Sequence, residues 1–159
     1  MAQTGVLAVI TKQETVCKTF ANFIDLEPKN DRPPCPLTRL YNLLGQNKDT
    51  LGWILKRYKF SSKEAKWLLK LESMMNLATE PLVLTLHFQG KEHTLAWYLS
   101  SLAKENKKPH GKDLETILNF TKKIPPLTGK DLLNEGLPAG PLLGNELKRR
   151  EKKWVLENY

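Results

Sequence analysis

Cysteine and histidine are scarce in this chain of 159 residues. Cys17 and Cys35 are far apart in the sequence, and His87, His93 and His110 have no metal-ligand spacing with either of them. A zinc site needs clustered ligands. We therefore predict free thiols, no metal site, and histidines that serve packing or the surface. A Cys/His nucleophile pair has no support beyond the presence of the two residue types.

Long apolar runs and nucleotide-binding loops are missing as well. No stretch approaches the roughly 20 apolar residues of a membrane-spanning helix. The first residues also lack the charged-then-apolar pattern of a signal peptide. The sequence therefore predicts a cytoplasmic protein without a membrane partner. It contains no Walker-type loop and no G-x-G-x-x-G string, and we assign it no catalytic residue and no cofactor.

Positive charge, by contrast, is in excess, with a formal net charge of +8. Hydrophobic residues make up 40% of the chain, which is typical of a folded domain. The excess favours an anionic partner, and nucleic acid rather than a membrane. Between residues 41 and 75, seven basic residues stand against three acidic ones. This stretch is a candidate phosphate-contacting surface, and the alternative is a lysine-rich face that only meets solvent. Its candidate RNA-binding residues are Lys56, Arg57, Lys59, Lys63, Lys66 and Lys70.

Apolar residues recur at helical spacings along most of the chain. Asp49 is the predicted N-cap of one helix, and Ser61 with Glu64 forms a capping box at the start of the next. That next helix is expected to bury Ala65, Leu68, Leu69 and Met75. Before the tail, helices are predicted at residues 2–25, 36–44, 49–58, 62–75, 92–104 and 113–123.

Residues 81–88, PLVLTLHF, alternate in a way that in isolation indicates a strand. We nevertheless predict a helix, because a lone strand would have no partner elsewhere and Pro81 suits a helix start. The predicted fold is all-α, an irregular bundle of about eight helices that ends in a helix-turn-helix tail. We predict two parts, a body-like domain over residues 1–124 and a tail-like helical hairpin over 125–159 packed on it.

The tail reads PPLTGKDLLNEGLPAGPLLGNELKRREKKW from Pro125. The hydroxyl of Thr128 is expected to cap a short helix by accepting from a free amide. Gly136 is expected to end that helix, since glycine enters the left-handed region freely. Pro141 opens a last helix with Leu143, Leu147 and Trp154 on one stripe.

The last helix has a basic side that is a second candidate RNA-binding surface. Like charges four residues apart destabilise a helix, and a polyanion would relieve that repulsion. The alternative is a solvated face that Glu146 and Glu151 partly neutralise. The candidate RNA-binding residues of the tail are Lys130, Lys148, Arg149, Lys152 and Lys153.

The turn before the last helix is a candidate phosphate cradle, because free amides at a helix start attract anions. Its candidate residues are Gly136, Gly140 and Leu142. The alternative is a plain helix–helix corner.

Trp67, Trp97 and Trp154 are candidates for stacking on bases. Core packing is the alternative, and we favour it for Trp97 and Trp154.

The tail resembles the C-terminal tail of bacterial class II CCA-adding tRNA nucleotidyltransferases and their poly(A) polymerase relatives. A string similar to the family's L-K-x-S-x-x-E stands at Lys59, Ser61 and Glu64. The opening MAQTGVLAVI resembles a string found inside such enzymes, especially in their α-proteobacterial branch. The tail positions that match are Pro126, Gly129, Asp131, Leu132, Gly136, Gly140, Pro141, Gly144, Leu147, Glu151 and Trp154.

The resemblance implies that this chain corresponds to the rear half of such an enzyme, which comprises the body and the tail and lacks the catalytic head and neck. The head's metal-binding aspartates have no counterpart here, and Asp131 belongs to a helix start instead. The implied function is binding of the acceptor and T arms of tRNA in support of a head on another polypeptide. Mg²⁺ and CTP or ATP would belong to that head, and the choice between CCA and poly(A) addition would lie there. The alternatives are a decayed remnant that acts as a helical protein-interaction module, and an enzyme with unrecognised catalytic residues.

Overall fold

The computed structural model describes residue 9 and residues 17–27, 35–76 and 80–159. In this part of the chain all regular structure is helical, and the protein is an all-α bundle as predicted. None of these helices is long and apolar enough to cross a membrane. The predicted helix over 2–25 lies largely outside the described residues. The described helices are α1 (Cys17–Leu26), α2 (Pro36–Leu43), α3 (Lys48–Arg57), α4 (Ser62–Met75), α5 (Leu82–Gln89), α6 (Lys91–Glu105), α7 (Gly111–Asn119), α8 (Gly129–Asn134) and α9 (Pro141–Asn158).

Helix α6 occupies the centre of the bundle and packs against α1, α2, α4, α5 and α7. A smaller apolar cluster joins α1 to α6 through Phe23, Leu99 and Ala103. On the far side of the bundle, α9 packs against α5 and α8. The larger cluster joins α2, α3, α4 and α6, and its buried members are Tyr41, Leu44, Leu51, Ile54, Leu68, Leu71 and Ala96.

A buried polar network connects α2 to α6. The Asn42 side-chain amide donates to Ser100 Oγ at 2.8 Å, and the Gln46 side-chain amide donates to Asn42 Oδ1 at 2.9 Å. Gln46 also donates to the carbonyl of Ser100 at 2.7 Å. Gln46 takes a left-handed φ of 54° just after α2, and this turn places its side chain beside α6. Because buried polar groups are costly when unpaired, the network specifies how α2 sits on α6.

The helix starts follow from local sequence, with one correction. The Ser61–Glu64 capping box is present in both directions, as predicted. The N-cap of α3 is Asn47 and not Asp49, because Asn47 Oδ1 accepts from the Thr50 amide at 2.9 Å. Asp49 lies in the first turn instead, where a carboxylate complements the helix dipole.

Helix α5 confirms the helical interpretation of the alternating segment. Four consecutive residues are buried: Leu84, Thr85, Leu86 and His87. Helix α5 is covered by α6 and by α9, so apolar side chains are needed around most of its circumference. This explains why a 3.6-residue apolar period is absent from its sequence.

Two predictions about helices α4 and α7 are wrong. Leu69 is 52% exposed rather than buried, because α4 turns Leu68, Leu71 and Met74 toward the core and leaves Leu69 to one side. Helix α7 ends at Asn119 and not at residue 123. Phe120 is extended there and its ring stacks on that of Tyr159, with centroids 5.2 Å apart. The Tyr159 hydroxyl accepts from the Lys123 amide and donates to the Thr121 carbonyl.

Candidate nucleic-acid interface

Five cations project from the end of α3 and the first half of α4, a surface we call the α3–α4 corner. All five are exposed, and within the described parts of the chain none lies within ion-pair distance of a carboxylate. The one acid among them is Glu64, whose carboxylate accepts from the Ser61 amide at 2.7 Å. That capping interaction lowers the pKa of Glu64. The cations of the α3–α4 corner are Lys56, Arg57, Lys59, Lys63 and Lys66.

The backbone of the α3–α4 corner is fixed by the helices on both sides. The Tyr58 amide donates to the Ile54 carbonyl at 2.9 Å, and the Tyr58 carbonyl accepts from the Phe60 amide at 3.1 Å. Ile54 and Leu68 are buried in the larger cluster, one on each side of the turn. The α3–α4 corner is therefore a surface of fixed backbone shape whose cations have no carboxylate partner in the described part of the chain.

Lys70, the sixth basic residue predicted for this surface, has a different environment. Its Nζ donates to the Gln89 carbonyl at 3.1 Å and so ties α4 to the end of α5. His93 lies nearby, with its ring 4.9 Å from that of Trp67. Burial, and secondarily the charge of Lys70, lower the pKa of His93. Lys70 thus stabilises the packing of helices, in contrast to the five exposed cations.

The predicted basic side of α9 is largely neutralised. Arg149 forms a two-bond pair with Glu146, at 2.7 Å for each bond. Lys152 pairs with Glu80 at 2.6 Å, and Lys153 lies 3.8 Å from Glu157. Lys148 is exposed and, among the described residues, has no such partner. The basic side of α9 therefore carries fewer cations without a described carboxylate partner than the α3–α4 corner does.

Arg150, which the sequence interpretation left out, organises this neutralisation. Its guanidinium donates to both carboxylate oxygens of Glu135, at 2.9 and 2.7 Å, and to Glu146 at 2.8 Å. The two arginines lower the pKa of Glu146 to about 2 through hydrogen bonds, with Arg149 contributing most. The sequence spacing predicts the pairs of Glu146 with Arg149 and Arg150, which lie three and four residues further along the helix. It does not predict the pair with Glu135, which lies 15 residues before Arg150 at the end of the preceding helix.

The turn between α8 and α9 is built from glycines with positive φ. Gly136 has φ of 92° and its amide donates to the Leu133 carbonyl at 3.0 Å, so this amide is already engaged. Gly140 has φ of 138° and precedes Pro141, the first residue of α9. Leu142 follows in the first helical turn, and the residue is 69% exposed. Lys130 lies exposed in the first turn of α8.

The start of α8 has the predicted N-cap, Thr128, which forms a capping box with Asp131. Asp131 accepts both from the Thr128 amide at 2.7 Å and from the Thr128 hydroxyl at 2.8 Å. The hydroxyl thus donates to Asp131 in addition to its part in the capping box. These two bonds lower the pKa of Asp131. The placement of Asp131 in the first turn of the helix is as predicted.

Three tryptophans were candidates for base stacking. Trp67 and Trp97 are partly buried against the larger apolar cluster, so the packing interpretation of Trp97 is confirmed. Trp154 is half-buried on α9, near the buried Val155. The aromatic ring that stands on the α3–α4 corner is Tyr58, which is exposed and which the sequence analysis did not single out.

The described surface includes two open grooves. One, of about 430 Å³, lies at the α8–α9 turn and is lined by Leu137, Pro138, Leu142, Asn145, Glu146 and Arg149. The other, of about 460 Å³, is lined by Glu80, Pro81, Leu82, Trp97, Tyr98 and Asp113. Over the described stretches of the chain, no group of three or more histidine, cysteine or acidic side chains is placed to hold a metal ion.

No family model, no curated protein and no solved structure matches this chain.

Proposed function

We propose that this chain binds structured RNA of the tRNA type through the α3–α4 corner. It would act in the cytoplasm as the RNA-holding part of a split or truncated tRNA nucleotidyltransferase or poly(A) polymerase. The observation that carries the RNA-binding proposal is the group of five exposed cations that have no carboxylate partner among the described residues. The resemblance of the tail motif supports the tRNA class of ligand.

The chemistry of the α3–α4 corner suits a phosphate backbone. Lysine and arginine release condensed counterions when they neutralise phosphates, and this supplies affinity without reading bases. The deep major groove of duplex RNA excludes side chains, so recognition relies on shape, phosphates and 2′-hydroxyls. A helical corner with a fixed backbone presents such contacts at set positions.

The transfer reaction itself would require a second polypeptide. That polypeptide would carry the catalytic head and the sites for Mg²⁺ and CTP or ATP. The residues of this chain would hold and orient the RNA, and we assign none of them a role in the transfer of a nucleotide.

The experiment that tests this proposal is tRNA binding across a salt series with charge-reversal variants. Lys63→Glu/Lys66→Glu changes the α3–α4 corner. Lys112→Glu/Lys122→Glu makes the same change of net charge at exposed lysines outside it. Each phosphate contact contributes about 0.7–0.9 to the slope of log K against log salt. We expect the first variant, which loses two contacts, to reduce that slope by about 1.4–1.8 and to lower affinity at least about tenfold.

The control variant should retain most of the slope and the affinity. Equal losses in the two variants would mean that net charge alone drives binding, and the α3–α4 corner would lose its assigned role. An absence of binding at low salt, from a chain that circular dichroism shows to be helical, would overturn the RNA proposal.

A second candidate function, a helical protein-interaction module, is favoured by apolar exposure near the α8–α9 turn. Leu142 is 69% exposed and Leu133 is 46% exposed. Leu142 also lines the groove beside Leu137 and Pro138. A folded chain that fails to bind tRNA in the experiment above would favour this candidate.

A further inference from the structure

Tyr58 presents an exposed aromatic ring in the middle of the α3–α4 corner. Its residue surface is 42% exposed, and Arg57 and Lys59 flank it in the sequence. The guanidinium carbon of Arg57 lies 5.9 Å from the centre of the Tyr58 ring. An exposed aromatic ring set among exposed cations is the combination with which proteins bind unpaired nucleotides.

The ring is anchored as well as exposed. Its centroid lies 6.3 Å from that of Trp53, and the two ring planes are nearly perpendicular at 87°. Trp53 packs against the larger apolar cluster. The hydrogen bonds of the Tyr58 amide and carbonyl hold its backbone at the end of α3. Because the ring is supported from the core side, less conformational freedom is lost when a base stacks on it.

The ring of Tyr159, the other exposed tyrosine, is by contrast already engaged in contacts within the protein. Tyr159 is 41% exposed, yet Phe120 is stacked on it and Lys123 Nζ lies 4.7 Å from its ring centre. Its hydroxyl has two backbone partners. Tyr58 has an edge contact with Trp53 and a contact with Arg57, with no ring stacked on it among the described residues.

We propose that Tyr58 is a stacking platform for an unpaired nucleobase, with Arg57 and Lys59 on the adjacent phosphates. This inference rests on the proposed RNA binding of the same corner. It specifies which kind of RNA the α3–α4 corner would prefer. Bases inside a duplex are already stacked on one another, so the preferred RNA would have an unpaired nucleotide next to a duplex. The phosphates of the duplex would meet Lys63 and Lys66 on α4.

The test compares two RNA hairpins, one blunt and one with a short unpaired extension that carries 2-aminopurine. Stacking of one base on an aromatic side chain corresponds to a factor of about 5 to 150 in affinity. We expect the protein to bind the extended hairpin more tightly by a factor in this range. We also expect the 2-aminopurine fluorescence to be quenched on binding.

Three variants separate aromatic stacking from apolar bulk. Tyr58→Phe keeps an aromatic face and should retain both the preference and the quenching. Tyr58→Leu keeps an apolar side chain and should lose both, with blunt-hairpin affinity unchanged. Leu69→Ala removes another exposed side chain and should leave both unchanged. Circular dichroism of each variant checks the fold.

The outcomes distinguish this inference from the proposal on which it depends. If both hairpins bind equally, or if Tyr58→Leu keeps the preference, the stacking inference fails while RNA binding by the α3–α4 corner stands. If Tyr58→Leu weakens both hairpins equally, the ring serves the shape of the corner and stacking is again refuted. If neither hairpin binds the folded wild-type chain, both the inference and the proposed function fail.

Discussion

Nε2 of His87 lies 2.8 Å from Oε1 of Glu151, and this contact links α5 to α9. The His87 side chain is fully buried, whereas that of Glu151 is 27% exposed. Among the described residues, the other ring nitrogen of His87 has no hydrogen-bond partner. Glu151 on α9 is therefore the one described residue that hydrogen-bonds the ring of the buried His87 on α5.

Removal of Glu151 should weaken the docking of α9. Glu151→Ala leaves both ring nitrogens of His87 buried without a partner, and an unsatisfied buried group costs about 1–3 kcal/mol. We expect a loss of that size in the free energy of unfolding, measured by urea denaturation. Glu157→Ala removes an exposed carboxylate 3.8 Å from Lys153. That control should change stability by no more than about 0.5 kcal/mol, and equal effects of the two variants would refute the role of His87.

The buried Tyr41–Glu72 pair allows a double-mutant test. The Tyr41 hydroxyl donates to Glu72 Oε2, and burial, with the Glu72 carboxylate second, raises the pKa of Tyr41. Tyr41→Phe should destabilise the fold by about 1–3 kcal/mol, because the carboxylate stays buried and loses a donor. Tyr41→Phe with Glu72→Met removes both polar groups and should recover most of that loss in urea unfolding. A double variant less stable than Tyr41→Phe alone would contradict this account.

Acid should destabilise the α8–α9 region through Glu146. Its pKa is about 2 in the folded protein against an ordinary value of 4.5, because Arg149 and Arg150 bond the carboxylate. Between these values the unfolded chain binds more protons, so this contribution is complete above pH 4.5 and is lost as the pH falls toward 2. Urea unfolding at a series of pH values should show a shallower acid limb for Glu146→Gln. Glu115→Gln removes an exposed carboxylate without a described arginine partner and should preserve the wild-type limb.

Two glycines should respond in opposite ways to alanine. An added Cβ meets no atom within 4 Å at Gly52 or at Gly136. Gly52 lies inside α3, so Gly52→Ala should stabilise the protein by about 0.5–1 kcal/mol. Gly136 has φ of 92°, and Gly136→Ala should cost about 1–2 kcal/mol. Melting temperatures of the two variants should therefore move to opposite sides of the wild-type value, and shifts in the same direction would contradict the conformational argument.

Local signals in the sequence were sufficient for most of the fold. The Ser61–Glu64 box, the glycine at 136 and the proline at 141 each act within a few residues, and each is found where it was predicted. The predicted cap of α3 is wrong because Asn47 and Asp49 are both residue types that favour the N-cap position. The sequence alone does not determine at which of the two residues the helix begins.

The candidate site was less predictable, because charge pairing depends on which helices meet. Lys148 and Lys152 look equivalent in the sequence, yet Lys152 reaches Glu80 and Lys148 does not. Glu80 stands 72 residues earlier in the chain, so no local pattern could identify it as the partner. The same holds for His87, which was interpreted as a packing or surface residue and whose partner lies 64 residues away.

The network of Asn42, Gln46 and Ser100 has a consequence for how sequences of this kind diverge. Each of the three side chains is buried and bonded to at least one of the others or to its backbone. A change at one position removes a hydrogen-bond partner from another buried group, whereas a joint change to apolar residues of similar shape is tolerated far better. In any set of descendants of this fold, these three positions should therefore vary together and seldom singly.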